Sequence, residues 1–268
     1  MKTSQKPIKS TKNPFHWKHY QGEIILLNVR WYCSYGLSYR NLVEMMEERG
    51  LILVHTIIMR WVYQYAPQID TKIRPHLKRT DKSWRVDETY LKVKGKWAYL
   101  YKAVDKDGNT LDFLLGAKPD AKATSRFFKK VLKANHTQTP RLINVDKNPA
   151  PSGSLEQLKR AGILPEKMEI RPVKYLNNIV EPDHRFIKKV IQPCLGFQSI
   201  QTAAKTISGI EARHILWKGQ LGRSFSVGLS PAQIVWPDGL IIVNEYQNTL
   251  DDIFAPQPRK LQFQISLV

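Results

Sequence analysis

Three acidic residues, Asp87, Asp146 and Glu181, stand where a chain can gather carboxylates around metal ions. Acids are scarce here, 23 Asp and Glu against 42 Lys and Arg in 268 residues, so an acid among apolar neighbours stands out. Asp87 lies within Trp84-Arg85-Val86-Asp87-Glu88-Thr89-Tyr90, whose apolar members argue burial, and a buried carboxylate needs a cation or hydrogen bonds. Asp146 directly follows the apolar run Leu142-Ile143-Asn144-Val145, and Glu181 opens a helical stretch after Asn177-Asn178-Ile179-Val180. Taken singly, each acid reads as a solvated strand end or a helix cap. Taken together they describe a site for two hard cations about 3.5–4 Å apart, which clamp the attacking and leaving oxygens of a phosphodiester displacement. Carboxylate oxygens suit Mg²⁺, which keeps several waters and also binds substrate phosphate.

The elements that must position these acids are legible from periodicity. Ser83 to Val93 is rich in β-branched and aromatic residues, Lys94-Gly95 makes a turn, and Trp97 to Val104 and Thr110 to Gly116 complete an antiparallel meander. Apolar spacing then predicts a helix over 121–135, a strand over 141–145, a helix over 155–161, a strand over 168–174 and a long helix from Glu181 to Val190. The order βββαβαβα is that of an α/β ribonuclease H-like fold, a mixed sheet flanked by helices.

Ahead of this core lies a basic segment. Residues 1–80 carry 13 basic and 5 acidic side chains (+8), residues 81–220 carry 26 and 14 (+12), and residues 221–268 carry 3 and 4 (−1). A total of +19 points to a polyanionic partner, nucleic acid first. Three helices are expected: from Glu23 to Tyr35, from a Ser38 cap to Arg49, and from His55 to Tyr65, where Pro67 ends the run. They read as a helix-turn-helix module with its third helix in the major groove, or as a plain three-helix bundle. The domain division that follows is 1–66 for the basic helix-turn-helix domain, 67–80 for a linker, 81–220 for the catalytic core and 221–268 for a carboxy-terminal extension. Cys33 and Cys194 are too few and too far apart for a disulfide framework or a zinc site. No apolar stretch approaches the ~20 residues of a membrane span, and residues 1–12 lack an apolar signal core. A soluble, cytoplasmic, nucleoid-associated protein without a membrane partner is the expectation.

The segments Val86-Asp87-Glu88-Thr89-Tyr90, Lys96-Trp97-Ala98-Tyr99-Leu100-Tyr101, Asn144-Val145-Asp146-Lys147, Lys174-Tyr175-Leu176-Asn177-Asn178 with Glu181, Asp183 and His184, and Leu195-Gly196-Phe197 carry a resemblance. Together with Trp31-Tyr32, Tyr39-Arg40, Arg60-Trp61 and Lys218-Gly219-Gln220 they are similar to the insertion-sequence-six family of bacterial DDE transposases, from about Asn13 to Gln220. By that resemblance the acidic triad falls on Asp87, Asp146 and Glu181, with 34 residues between the second and third acids, and the Glu-x6-Lys element falls on Glu181 and Lys188. It implies catalysis by Asp87, Asp146, Glu181 and Lys188, and two bound Mg²⁺ ions, with Mn²⁺ an alternative. Lys188 would hold a DNA phosphate; His184 shares its helical face with Glu181 and Lys188 and reads more simply as structural. Arg40, His55, Thr56, Arg60 and Lys188 are the expected DNA contacts.

The implied partners are double-stranded DNA, as terminal inverted repeats and target, and a second copy of the chain or more on that DNA. The implied reaction nicks element ends to expose 3′ hydroxyls and then uses them to attack target DNA. The alternatives are a catalytically silent DNA-binding relic or repressor, and a ribonuclease H-like nuclease. Departures from the family pattern are Ile57 and Met59 on the third helix, Pro151 after the second acid, Pro182 beside Glu181, and the tail from Leu221.

Overall fold

A computed structural model of the chain describes residues 20–118, 120–145, 149–172, 178–194 and 196–222. Asp146 and nearly all of the carboxy-terminal extension lie outside the described residues.

Five strands form one mixed sheet: β1 (Ser83–Val93), β2 (Lys96–Asp105), β3 (Thr110–Gly116), β4 (Leu142–Val145) and β5 (Glu169–Pro172). Their order is β3-β2-β1-β4-β5, with β1–β2 and β2–β3 antiparallel and β4 and β5 parallel to β1, the topology of the ribonuclease H-like fold. The β1–β2 hairpin closes on Lys94 (φ 49°) and Gly95 (φ 75°), two positive-φ residues whose twist matches that of the strands they join. The β2–β3 turn is built on Asp105, whose buried carboxylate accepts from the backbone N–H groups of Asp81, Asp107 and Asn109.

Strand alternation gives the sheet two apolar faces. One buries Trp84, Val86, Tyr101, Ala103 and Ile143 against Phe127 and Phe128 of α4 (Ala121–Lys133) and Leu155 and Leu158 of α5 (Pro149–Arg160). The other buries Leu91, Val93, Ala98, Leu100 and Phe113 in a core shared with all the remaining helices. These are α1 (Gly22–Ser34), α2 (Tyr39–Glu47), α3 (His55–Ile73), α6 (Glu181–Ile191) and α7 (Ile200–Trp217).

The amino-terminal helices depart from expectation in three ways. First, α1 is buried from Ile24 to Cys33 without a polar stripe, because α2, α3, α6 and α7 surround it. Second, α3 does not stop before Pro67 but runs through it to Ile73, continued by a 3₁₀ turn over Arg74–His76. An interior proline costs ~3 kcal/mol. The face Ile58, Trp61, Val62, Tyr65, Ala66, Ile69 and Ile73 is buried on both sides of it and offsets that cost, so residues 67–73 are helix where a linker was expected. Third, the three helices do not stand apart from the sheet: α7, a helix the sequence reading did not include, packs against α1, α3 and β3 and joins both regions into one core. The capping of α2 is as expected, with Ser38 accepting from Asn41 N (3.1 Å) and Asn41 Oδ1 accepting from Ser38 N (2.9 Å).

In this joint α7 comes close to α1 and α3 at Gly209. A Cβ built there would stand 2.5 Å from Ala66 Cβ and 2.7 Å from Cys33 Sγ. Gly209→Val would therefore push α7 away from α1 and α3. The expected loss is about 1–3 kcal/mol, the ordinary cost of overpacking, read as a lowered urea midpoint. An unchanged midpoint would show that the joint is slack.

Candidate active site

Asp87 sits at a defined break in the sheet. The β1–β4 ladder pairs Ser83 with Leu142 and ends at Val86 with Val145, so Asp87 is the first residue of β1 beyond its parallel partner. The residue after Val145 is Asp146. Alternation turns Asp87 toward the face that carries α6, and its side chain is 23% exposed. Neighbouring Glu88 turns to the other face beside Tyr101, where burial raises its carboxyl pKa against the lowering effect of the Tyr101 hydrogen bond.

The third acid, Glu181, is the first residue of α6, with Pro182 next to it where the missing N–H costs nothing. A carboxylate at a helix amino end is favoured by the helix dipole. Glu181 is well exposed and pairs with Arg185 one turn on, Nη2 to Oε1 at 3.2 Å, a pair that solvent screens heavily. His184, on the next turn, is buried, and its Nε2 lies 3.3 Å from Asp87 Oδ2. That contact seats the opening turn of α6 against β1 at the level of Asp87. Among the described residues neither His184 ring nitrogen completes a hydrogen bond. Lys188 is exposed on the same helix, one turn beyond His184. Among the described residues no cluster of three His, Cys, Asp or Glu is close enough to hold a metal ion, and Asp146 is not one of them. Of the expected DNA contacts, Arg40 stands in the first turn of α2, His55 and Thr56 open α3, and Arg60 follows on the next turn; all four are exposed.

What the sequence reading missed is the buried charge network that holds α6 in place. Asp183, two residues after Glu181, accepts from His214 Nε2 (2.8 Å) and Lys218 Nζ (2.6 Å), both from the end of α7, and from Lys102 Nζ of β2 (2.8 Å). Lys102, fully buried, also donates to both carboxylate oxygens of Glu211 (2.6 and 2.7 Å). Lys218 further donates to Gly108 O and Thr110 Oγ1. Burial raises the Asp183 pKa, but the His214 hydrogen bond and the Lys102 and Lys218 charges outweigh it and hold the carboxyl well below the ordinary range. Lys102 is the reverse case: burial lowers its pKa, and Glu211 with Asp183 raises it further than burial lowers it. The available signal was a lysine at an inward strand position, flanked by Tyr101 and Ala103, which must find buried acids.

His214 gives this network a pH dependence. Burial pushes its pKa below the ordinary 6.5, the Lys218 and Lys102 charges add to this, and Asp183 opposes it. The ring is thus neutral in the fold and donates Nε2–H. As pH falls through 6.5 the unfolded chain takes up this proton first, so the stability due to a neutral His214 is present above that pH and lost below it. Between pH 7 and 5.5 the native protein should lose stability relative to His214→Gln, by at most about 1.4 kcal/mol per pH unit. Urea titrations of both proteins at several pH values check this; parallel curves would remove His214 from the balance.

Residues 81–220 match the model of a DDE domain family. The chain is 36% identical, over 82% of its length and 95% of the relative's, to the transposase for insertion sequence-like element IS431mec of Staphylococcus aureus. It is 35% identical, over the same shares, to the transposase for insertion sequence element IS257 in transposon Tn4003 of the same species. Among solved structures it is similar to the magnesium-complexed catalytic core domain of HTLV-2 integrase in its trimeric form (19% identity, 58% of this chain and 97% of that one, TM-score 0.39). It is likewise similar to the catalytic core domain of BIV integrase (16%, 56% and 90%, TM-score 0.38). A family match over more than half the chain, with relatives this similar along nearly their whole length, leaves one assignment: the chain belongs to the insertion-sequence-six family of DDE transposases.

Proposed function

We propose that this transposase cuts and joins DNA at a site made by Asp87, Asp146 and Glu181, which would hold two Mg²⁺ ions, with Mn²⁺ able to replace them. The observation that carries the assignment is the His184–Asp87 contact, which seats the α6 turn bearing Glu181 beside the β1 residue just past the β4 ladder. An all-oxygen donor set, two accessible carboxylates and a buried imidazole whose ring nitrogens complete no hydrogen bond among the described residues suit a hydrated hard cation, which brings its own waters. Bound there, the ions would polarise the scissile phosphate and steady the attacking and leaving oxygens.

The chain's own residues then do the positioning. His184 orients the Asp87 carboxylate, as an outer partner steadies a ligand. Lys188, on the exposed side of α6, neutralises a DNA phosphate next to the acids. The nucleophiles are water for nicking and the freed DNA 3′ hydroxyl for strand transfer, so no protein side chain forms a bond to substrate. Arg40, His55, Thr56 and Arg60, all exposed in the first two turns of α2 and α3, would read an inverted repeat in the major groove. Two element ends must be held together for joint transfer, which favours a dimer or larger assembly on DNA.

Asp87→Asn, Asp146→Asn and Glu181→Gln are each expected to abolish nicking and strand transfer in Mg²⁺. Asp146→Asn should leave the thermal midpoint in chelator unchanged or raised, because carboxylates gathered without cations repel. Activity retained together with a clear loss of stability would return Asp146 to a structural role. A second measurement concerns the reading surface: Arg60→Ala should weaken inverted-repeat binding and reduce the slope of log affinity against log salt by about 1. An unchanged slope would place Arg60 off the DNA.

A further inference from the structure

The β1–β2 hairpin carries a surface that the proposed cutting site does not use. Tyr90 pairs with Tyr99 and Lys92 with Trp97 across the two strands, so these four side chains form a square on one face of the sheet. Closer to the middle of the sheet that face is covered by α4 and α5, which bury Trp84, Val86, Tyr101 and Ala103. Toward the turn the cover ends, leaving Trp97 58% and Tyr90 50% exposed. The rings hold each other edge to face, Tyr90 to Trp97 at 6.5 Å and Tyr90 to Tyr99 at 5.2 Å, so the group presents a braced set of rings. Lys92 Nζ lies 5.2 Å from the Trp97 ring centre, and exposed Lys94 and Lys96 complete the tip.

Exposed rings among lysines suit a polyanion that offers flat faces. Duplex DNA offers phosphates but hides its base faces in the stack, so lysines alone would serve it. Unpaired bases offer both, and stacking on aromatic side chains beside a basic track is how single strands are held without regard to sequence. A second copy of this chain would set three lysines against three lysines, which disfavours that occupant. Asp87 lies three residues back along β1, about 10 Å along the strand, and turns to the opposite face of the sheet.

We propose that Tyr90, Trp97 and Tyr99, with Lys92, Lys94 and Lys96, form a stacking platform for unpaired bases of single-stranded DNA, such as a strand frayed near the cut. The placement near the cut rests on the site proposed for Asp87, Asp146 and Glu181; the platform itself does not. It is therefore tested in chelator, where binding is independent of metal at those acids. The full chain is titrated against a fluorescently labelled single strand and against its duplex of equal length, and anisotropy is read. Trp97→Ala should weaken single-strand binding about tenfold while changing duplex binding less than about twofold, and Trp97→Phe should keep most of the single-strand affinity. Equal losses on both forms, or no loss on either, would overturn the platform. So would a Trp97→Ala variant that keeps its single-strand affinity and instead breaks an assembly measured by light scattering, for the face would then join copies of the chain.

Discussion

A lysine with no access to water governs how this molecule is put together. Lys102 stands on β2 between two carboxylates, Glu211 from the middle of α7 and Asp183 from the first turn of α6. Two charges of opposite sign drawn out of water recover their hydration only through close, well-aligned contacts, and losing one member of such a group costs about 3–5 kcal/mol. The positions of α6 and α7 relative to the sheet are therefore fixed together. With α6 comes Glu181, and with α7 comes the support for α1 and α3. His214 and Lys218 extend the same network from the end of α7, and Lys218 reaches on to the β2–β3 turn. The placement of α6, which bears Glu181, and the placement of α1 and α3 thus depend on one set of contacts.

Much of this was readable in the residues, and the unread parts share a cause. The meander is legible because its strands are rich in β-branched and aromatic residues and because Lys94-Gly95 is the chemistry of a tight hairpin. The α2 start is legible because Ser38 stands where a helix cap is needed. In contrast, α7 is buried nearly all round, from Thr206 to Ala212 without interruption, so it has no polar stripe to mark a helical period. Local rules also favour a stop at Pro67; only the face of α3 that packs on α7 explains why the helix continues, and that face needs the missing helix to be seen. Asp183 and Glu211 pass for ordinary surface acids until Lys102 is placed between them.

The candidate site divides in the same way. Asp87 was found as an acid inside an apolar strand and Glu181 as one that opens a helix, and β1 and α6 hold them at those positions. His184 was undervalued because spacing along one helix cannot tell that a side chain reaches a strand. Its contact with Asp87 is between elements almost a hundred residues apart in sequence, beyond the reach of any local pattern.

The length of α3 has a mechanical meaning. Its 19 residues make a rod about 28 Å long, exposed to solvent at His55 and Thr56 and tied at the far end, where Arg74 makes ion pairs with Asp70 on the rod itself and Asp112 on β3. A helix mounted this way cannot be exchanged as a cassette. A grafted helix of other length or curvature would have to match Arg74, Asp112 and the α7 face at once, so only side chains on the free end can change independently. Free variation is thereby confined to the exposed side of its first turns, while the rest of the rod is constrained together with the sheet.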